Sequence, residues 1–211
     1  MVRRRWRSGL AAALLLGLHG AAWAGSSIDT ALLERPWPRQ WEHEYEVGRD
    51  PVRWRQKASP AEGIFVGARF TAPADQPTAW KLATDYTEVK TMAPDVDDLR
   101  ILEQSPTREV IEIDMKVLWK HLTLRFEVER EEPQAVRFRL ANPAIGEYRG
   151  VFRLTPTEAP SRTDVQMATW LKPAVRIPSG LVIMVERIVL LKGIRKFLHV
   201  CRAASAGASG T

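Results

Sequence analysis

The sequence predicts an α+β domain, an antiparallel sheet laid against one long C-terminal helix, on three observations. From residue 99 to residue 171 apolar and polar residues alternate with a period of two, the mark of strands buried on one face. The connections between these runs are short and turn-like. From residue 180 to about residue 202 apolar residues recur every three or four positions, the mark of an amphipathic helix. With 45% hydrophobic and 27% charged residues in 211, the composition excludes wholesale disorder and fibrous repeats. A single Cys excludes an intramolecular disulfide and a thiolate zinc cluster.

The chain opens with a leader. Arg3, Arg4, Arg5 and Arg7 precede the short apolar run 10–18, and Ala22-Trp23-Ala24 supplies the small residues of a cleavage site. This three-part pattern is a secretory signal over residues 1–24, and the apolar run is about half the ~20 residues that span a bilayer. The expected location is periplasmic or secreted. Removing these four arginines lowers the net charge from +6 to +2, so the basic excess is no argument for nucleic acid.

Residues 25–61 form a Trp- and Pro-rich extension with no continuous helix or strand period, containing Pro36, Trp37, Pro38, Trp41 and Trp54. Tyr45-Glu46-Val47 and Val52-Arg53-Trp54-Arg55 flank Gly48-Arg49-Asp50-Pro51, compatible with a hairpin. The expected role is an ordered arm packed on the main domain, or a partner-binding arm. The domain proper covers residues 62–204.

Its first strand is 64–70, ending at Thr71-Ala72-Pro73. Residues 74–84 follow a helical pattern with Trp80 and Leu82 available for packing. Asp85 and Tyr86 mark a turn, and a second short helix runs to Met92 and stops before Pro94, because the residue before a proline avoids helix. In the meander, Ile111, Ile113, Met115 and Val117 alternate with Glu112, Asp114 and Lys116. Leu122, Leu124, Phe126 and Val128 form the next inward series, followed by Val136, Phe138 and Leu140. Gly150, Phe152 and Leu154, then Val165, Met167, Thr169 and Leu171, complete it. On the helix, Leu181, Met184, Val185, Ile188, Leu191, Ile194, Leu198 and Cys201 make one apolar stripe, with Ser179 as N-cap. Residues 205–211 are expected to be a disordered tail.

Phe70-Thr71-Ala72-Pro73-Ala74 leading into Ala79-Trp80-Lys81-Leu82, then Thr84-Asp85-Tyr86 with Ala93-Pro94, and the helix end Lys192-Gly193-Ile194-Arg195-Lys196-Phe197-Leu198 carry a resemblance. With the element order, they resemble the START-like (SRPBCC) superfamily, in its polyketide cyclase/dehydrase and coenzyme-Q-binding-protein-like branch. The resemblance covers residues 63–204 and implies a helix-grip fold. In that fold a curved antiparallel sheet of about six or seven strands wraps around the C-terminal helix, with two short helices after the first strand. It brings no shared catalytic set.

No chemical motif stands out. His43, His121 and His199 lack zinc-like spacing, and no G-x-S-x-G, Walker loop or G-x-G-x-x-G occurs, so no metal or cofactor is expected. Cys201 falls on the apolar stripe as a buried, inert thiol. Glu112 and Asp114 fall on the polar strand face. Ile113, Met115, Leu124, Phe126, Phe138, Phe152 and Met167 face inward toward Ile188 and Leu191. This set suits either a close-packed core or an apolar binding site, and the resemblance implies a cavity. Thr169 is placed at its rim, Asp85 and Tyr86 at its mouth or as helix caps.

The expected function is an exported, non-catalytic protein that holds a hydrophobic small molecule: a lipid, quinone or polyketide-like compound. A cyclase or dehydratase is the rival, opposed by the lack of an inward His or carboxylate. A third reading is peripheral docking on a membrane or partner, since residues 179–211 carry Arg187, Lys192, Arg195, Lys196 and Arg202 against Glu186. N-terminal sequencing of the exported protein is expected to start at Gly25 or within a few residues; an intact Met1 on soluble protein would contradict the leader.

Overall fold

Alternation in the sequence becomes one continuous antiparallel sheet in the computed structural model, which describes residues 27–35, 42–59, 61–86, 96–117, 120–142 and 145–208. The strands are β1 (Glu42–Val47), β2 (Asp50–Ser59), β3 (Gly63–Ala72), β4 (Val96–Gln104) and β5 (Arg108–Val117). They continue with β6 (Lys120–Glu131), β7 (Ala135–Leu140), β8 (Gly146–Pro156) and β9 (Thr163–Pro173). Their order across the sheet is β1-β2-β3-β9-β8-β7-β6-β5-β4. The helices are α1 (Ala31–Glu34), α2 (Gln76–Thr84) and the long C-terminal α3 (Ser179–Ala208). The expected second short helix, the leader, and Trp37 and Trp41 lie outside the described residues.

Nine strands stand where six or seven were expected, and the surplus is chiefly the hairpin β1–β2. Its inward face is short: Val52 and Trp54 are fully buried and Val47 nearly so, while His43, Glu44 and Glu46 face solvent. A charged edge strand with so few inward residues shows little alternation, yet charge on an edge also prevents unwanted strand pairing. Trp54 donates its indole N–H to Gln56 Oε1 at 3.0 Å, so its polar atom is satisfied inside the core. Gly48 makes the turn with φ of +71°, a conformation that favours glycine.

Helix α2 begins where its sequence directs. Asp75 is the N-cap and accepts from the Thr78 N–H at 2.8 Å, and a proline occupies the first turn, where no N–H is needed. Helix α3 starts when the Pro178 carbonyl accepts from the Leu181 and Val182 N–H groups, so Ser179 is its first residue. It runs on to Ala208 rather than fraying near residue 202. Ala203, Ala204 and Ala206 are strong helix formers, and Ser205 Oγ donates to the Pro73 carbonyl at 2.5 Å.

Two clusters fill the concave side. In one, Ile194, Phe197, Leu198 and Cys201 of α3 join Trp54, Val66, Phe70, Trp80 and Leu154, with Phe197 edge-on to both Phe70 and Phe152. In the other, Ile111, Leu124, Phe126 and Val128 form a patch with Phe138 and Tyr148 packed against it. The convex side has its own cover. Leu33 of α1 is buried among Phe65, Val151, Ala168 and Trp170. Glu34 bonds Arg137 and Arg153 there, and Arg149 stacks 4.3 Å from the Trp170 ring centre.

The expected helix stripe holds in the second half of α3 and is rotated in the first. Val182 is buried, whereas Leu181, Met184 and Ile188 are exposed, Ile188 at 45%. Residues 181–191 are apolar nearly all round, so their periodicity does not select a face. The buried second half selects it for them, because the helix is one rigid body.

Candidate functional site

A cavity of about 400 Å³ lies between α3 and the inner faces of β5 to β9. This size falls in the range of small-molecule sites. Helix α3 packs on β3, α2 and β1, so its contacts concentrate on one half of the sheet and the far half curves away from it. The wall is built from Ile111, Ile113 and Met115 of β5, Phe126 and Val128 of β6, and Val136 and Phe138 of β7. Phe152 and Met167 continue it, and Val189, Leu190, Gly193, Ile194 and Phe197 of α3 close it.

Two glycines shape this space. A Cβ on Gly150 would fall 2.2 Å from the Phe138 ring, so the bare backbone lets that ring lie across the neighbouring strand. A Cβ on Gly193 would meet nothing within 4 Å, because this turn of the helix faces the void.

Of the residues expected to bind ligand, Ile113, Met115, Phe126, Phe138, Phe152 and Met167 line the cavity. The other four do not. Leu124 is buried within the β5–β6 cluster. Leu191 packs against the main core. Thr169 is buried, with its hydroxyl 3.4 Å from the Val66 carbonyl. Ile188 faces outward because of the helix phase described above. At the expected mouth, Tyr86 lines the cavity, whereas the Asp85 N–H closes the end of α2 on the Lys81 carbonyl.

The polar groups gather in two places. Near α2, Glu109 is only 1% exposed and accepts from the Tyr86 hydroxyl, from Gln104 at 3.2 Å and from Arg130 at 3.0 Å. Arg130 also donates to the Thr84 carbonyl and sits 5.2 Å from the Tyr86 ring centre. Its Nε is buried without a hydrogen-bond partner among the described residues. Burial, then the bond to Glu109, pushes the Tyr86 phenol up to about 12, so it stays a donor.

Beneath α3, Glu186 Oε2 lies 3.4 Å from both the Tyr148 and the Thr169 hydroxyls. Burial pushes the Glu186 carboxyl up to about 7, and burial, then Glu186, raises the Tyr148 phenol well above its ordinary range. Strand register separates the two groups: the row Arg130–Val136–Phe152–Met167 is two residues from Thr169 and four from Tyr148. At 3.3 Å per residue that is roughly 7 to 13 Å.

These inward carboxylates overturn the expectation that none is present. Glu186 interrupts the apolar run of the helix, and Glu109 is the second residue of β5, whose next residue, Val110, is also buried. The signal for Glu186 was a lone acid three and four residues before Val189 and Leu190, readable only once the phase is known.

The remaining candidates carry no site. Glu112 and Asp114 pair with Arg100 on the outer face, and His121 is exposed beside Asp97. Burial pushes the Cys201 thiol up to about 12, which makes it unreactive. Among the described residues, no cluster of three His, Cys, Asp or Glu is placed to hold a metal, and no helix is long and apolar enough to cross a membrane.

The model of a family described as polyketide cyclase / dehydrase and lipid transport matches residues 72–198. No curated protein matches the sequence. Three solved structures are similar in fold. The Zhui aromatase/cyclase from Streptomyces sp. R1128 is 15% identical, covering 70% of this chain and 98% of that one, with a TM-score of 0.60. A STAR-related lipid transfer protein from Xanthomonas axonopodis is 17% identical, covering 77% and 99%, with a TM-score of 0.58. Human STARD10 is 10% identical, covering 81% and 76%, with a TM-score of 0.63. What they share with this chain is the helix-grip architecture, a curved antiparallel sheet with a long C-terminal helix.

The Glu186 carboxyl generates a pH dependence. Its folded value, about 7, lies above the ordinary 4.5, so between these pH values the folded protein holds the extra proton. Stability is therefore full below pH ~4.5 and falls as pH rises toward 7, by about 3 kcal/mol in all. Glu186→Gln cannot titrate. Denaturant unfolding of both proteins from pH 4.5 to 8 is expected to show wild type losing about that much relative to the variant; parallel curves would contradict the burial of this carboxyl.

Proposed function

Because the chain belongs to the polyketide cyclase/dehydrase and lipid transport family, we propose that it is a binding protein for a hydrophobic small molecule held between sheet and C-terminal helix. The observation that carries this reading is the apolar cavity of about 400 Å³. A void lined by Phe, Met, Ile and Val side chains excludes nothing apolar of suitable size, and burial of apolar ligand surface drives occupancy. The Arg130 Nε–H at one end supports a ligand that carries an oxygen acceptor, because this unpartnered donor is satisfied when such an atom arrives. A lipid, a quinone and a polyketide-like compound all meet these terms. The leader at residues 1–24 makes export part of the same proposal.

Gly193 gives the test. Gly193→Phe places a ring in the void while replacing the poorest ordinary helix former, so the variant is expected to unfold no more easily than wild type. Titration with a fluorescent fatty-acid analogue is expected to show saturable binding to wild type and at least tenfold weaker binding to Gly193→Phe. Equal binding by a folded Gly193→Phe would contradict the site. Mass spectrometry of the extracted ligand completes the test: an unchanged mass supports binding without turnover, and a water-loss product would favour a cyclase or dehydratase.

A second reading, peripheral membrane contact, is favoured by one surface. Leu181, Met184 and Ile188 are exposed at helical spacing, and Val175 and Ile177 are exposed just before them. Arg176 and Arg195 are exposed nearby in sequence. An apolar strip with basic neighbours suits an anionic lipid surface. In sedimentation with phosphatidylglycerol vesicles, wild type is expected in the pellet and the triple variant Leu181→Ser, Met184→Ser, Ile188→Ser in the supernatant. Equal partition of the two would remove this reading.

A further inference from the structure

Glu186 is a group that a plain apolar container does not need. It is the sole acidic residue of α3. Its carboxyl lies on the helix face that also carries Val182, Val189, Leu190 and Gly193. Burying a carboxyl is costly unless it is paired. Among the described residues no cation pairs with it: Arg187, its neighbour, reaches the Tyr45 hydroxyl at 3.4 Å and lies 5.8 Å from that ring's centre. What faces Glu186 from the sheet is two hydroxyls, Tyr148 from β8 and Thr169 from β9.

The geometry of the trio is open. Both hydroxyls approach the same oxygen, Oε2, from 3.4 Å, well beyond the ~2.7–2.8 Å usual between oxygens. Neither bond is closed, and among the described residues no donor reaches Oε1. Tyr148 is itself part of the cavity wall, with its ring 6.1 Å from Phe126 and 6.0 Å from Phe138. The carboxyl thus sits one turn of helix from the cavity residues Val189 and Leu190, behind a phenol that the cavity contacts.

We propose that Glu186, positioned by Tyr148 and Thr169, accepts a hydrogen bond from a hydroxyl carried by the apolar ligand, so that the cavity selects alcohols or phenols. This rests on the binding reading above and deepens it. A carboxylate has acceptors only, so above about pH 7, where Glu186 has given up its proton, only a ligand that donates completes it; below that its own O–H also donates. Tyr148 acts as a positioning residue: its phenol keeps its proton and holds Oε2, which turns Oε1 toward the ligand.

The test compares, at pH 8.5 where Glu186 is ionised, two isomers of equal formula, dodecanol and methyl undecyl ether, as competitors of a bound fluorescent fatty-acid analogue. Both offer an acceptor oxygen to Arg130, but only the alcohol donates. Wild type is expected to prefer the alcohol by about five- to tenfold, the size of one buried hydrogen bond. Glu186→Leu is expected to erase that preference while still binding the ether, and Glu186→Gln, whose amide carbonyl accepts, to retain much of it. Tyr148→Phe is expected to lower the preference without abolishing ether binding. Equal affinities in wild type, or a preference that survives Glu186→Leu, would overturn the proposal. The wild-type ratio needs no variant to fold. If wild type does not bind the probe at all, the binding reading itself fails, an outcome distinct from equal displacement by both.

Discussion

One long helix cannot cover a nine-stranded sheet, and this mismatch governs the rest of the molecule. A helix with its side chains is about 10–12 Å across, and neighbouring strands are about 4.8 Å apart, so α3 covers only a few strands at close range. Its closest backbone approach is to β3, β1 and α2, where Ile194, Phe197, Leu198 and Cys201 fill the core. The inward residues of β5 to β7 therefore face a helix that does not reach them. Their aromatic side chains satisfy one another, Phe126, Phe138 and Tyr148 lying 5.9 to 6.1 Å apart, and the space beyond them stays open.

The convex side shows the opposite solution. There a one-turn helix, α1, suffices, because Leu33 has only a shallow patch of Phe65, Ala168 and Trp170 to cover. Arginines dominate the rest of that face. Arg137 and Arg153 converge on Glu34, and Arg139 pairs with Glu127. Cross-strand pairs of this kind hold register more than they add stability. The result is a sheet solvated on its outer face and bent around a partly filled interior.

That interior is not uniformly apolar. Glu109 lies in a closed network with Tyr86, Gln104 and Arg130, a charge buried beside its counter-charge. Glu186 lies under hydroxyls alone, and its carboxyl responds by holding its proton to about pH 7. The two carboxyls illustrate two ways to bury an acid. One is neutralised by a partner of opposite charge, and the other is kept neutral by a shifted equilibrium. The cavity wall includes Tyr86 and Arg130 beside the first acid and Tyr148 beside the second, which places a polar residue near each end of an apolar body.

The pattern of residues determined the parts of this protein that repeat. Period-two alternation in Ile111 to Val117 and in Leu122 to Val128 identified the meander, since a strand buried on one face admits no other pattern. The helix within residues 74–84 and the amphipathic second half of α3 were legible for the same reason: each is written within a few neighbouring residues. The resemblance carried by residues 63–204 added the curvature. The tertiary structure alone decided what depends on distant contacts. The hairpin of Val47, Val52 and Trp54 joins the sheet through pairing with β3, which its charged edge conceals. The first half of α3, apolar on all sides, takes its rotation from Phe197 and Leu198 further along. With that rotation Ile188 turned outward and Glu186 turned inward. A residue on a helix that is apolar all round has no face of its own, and only the packing of the whole helix gives it one.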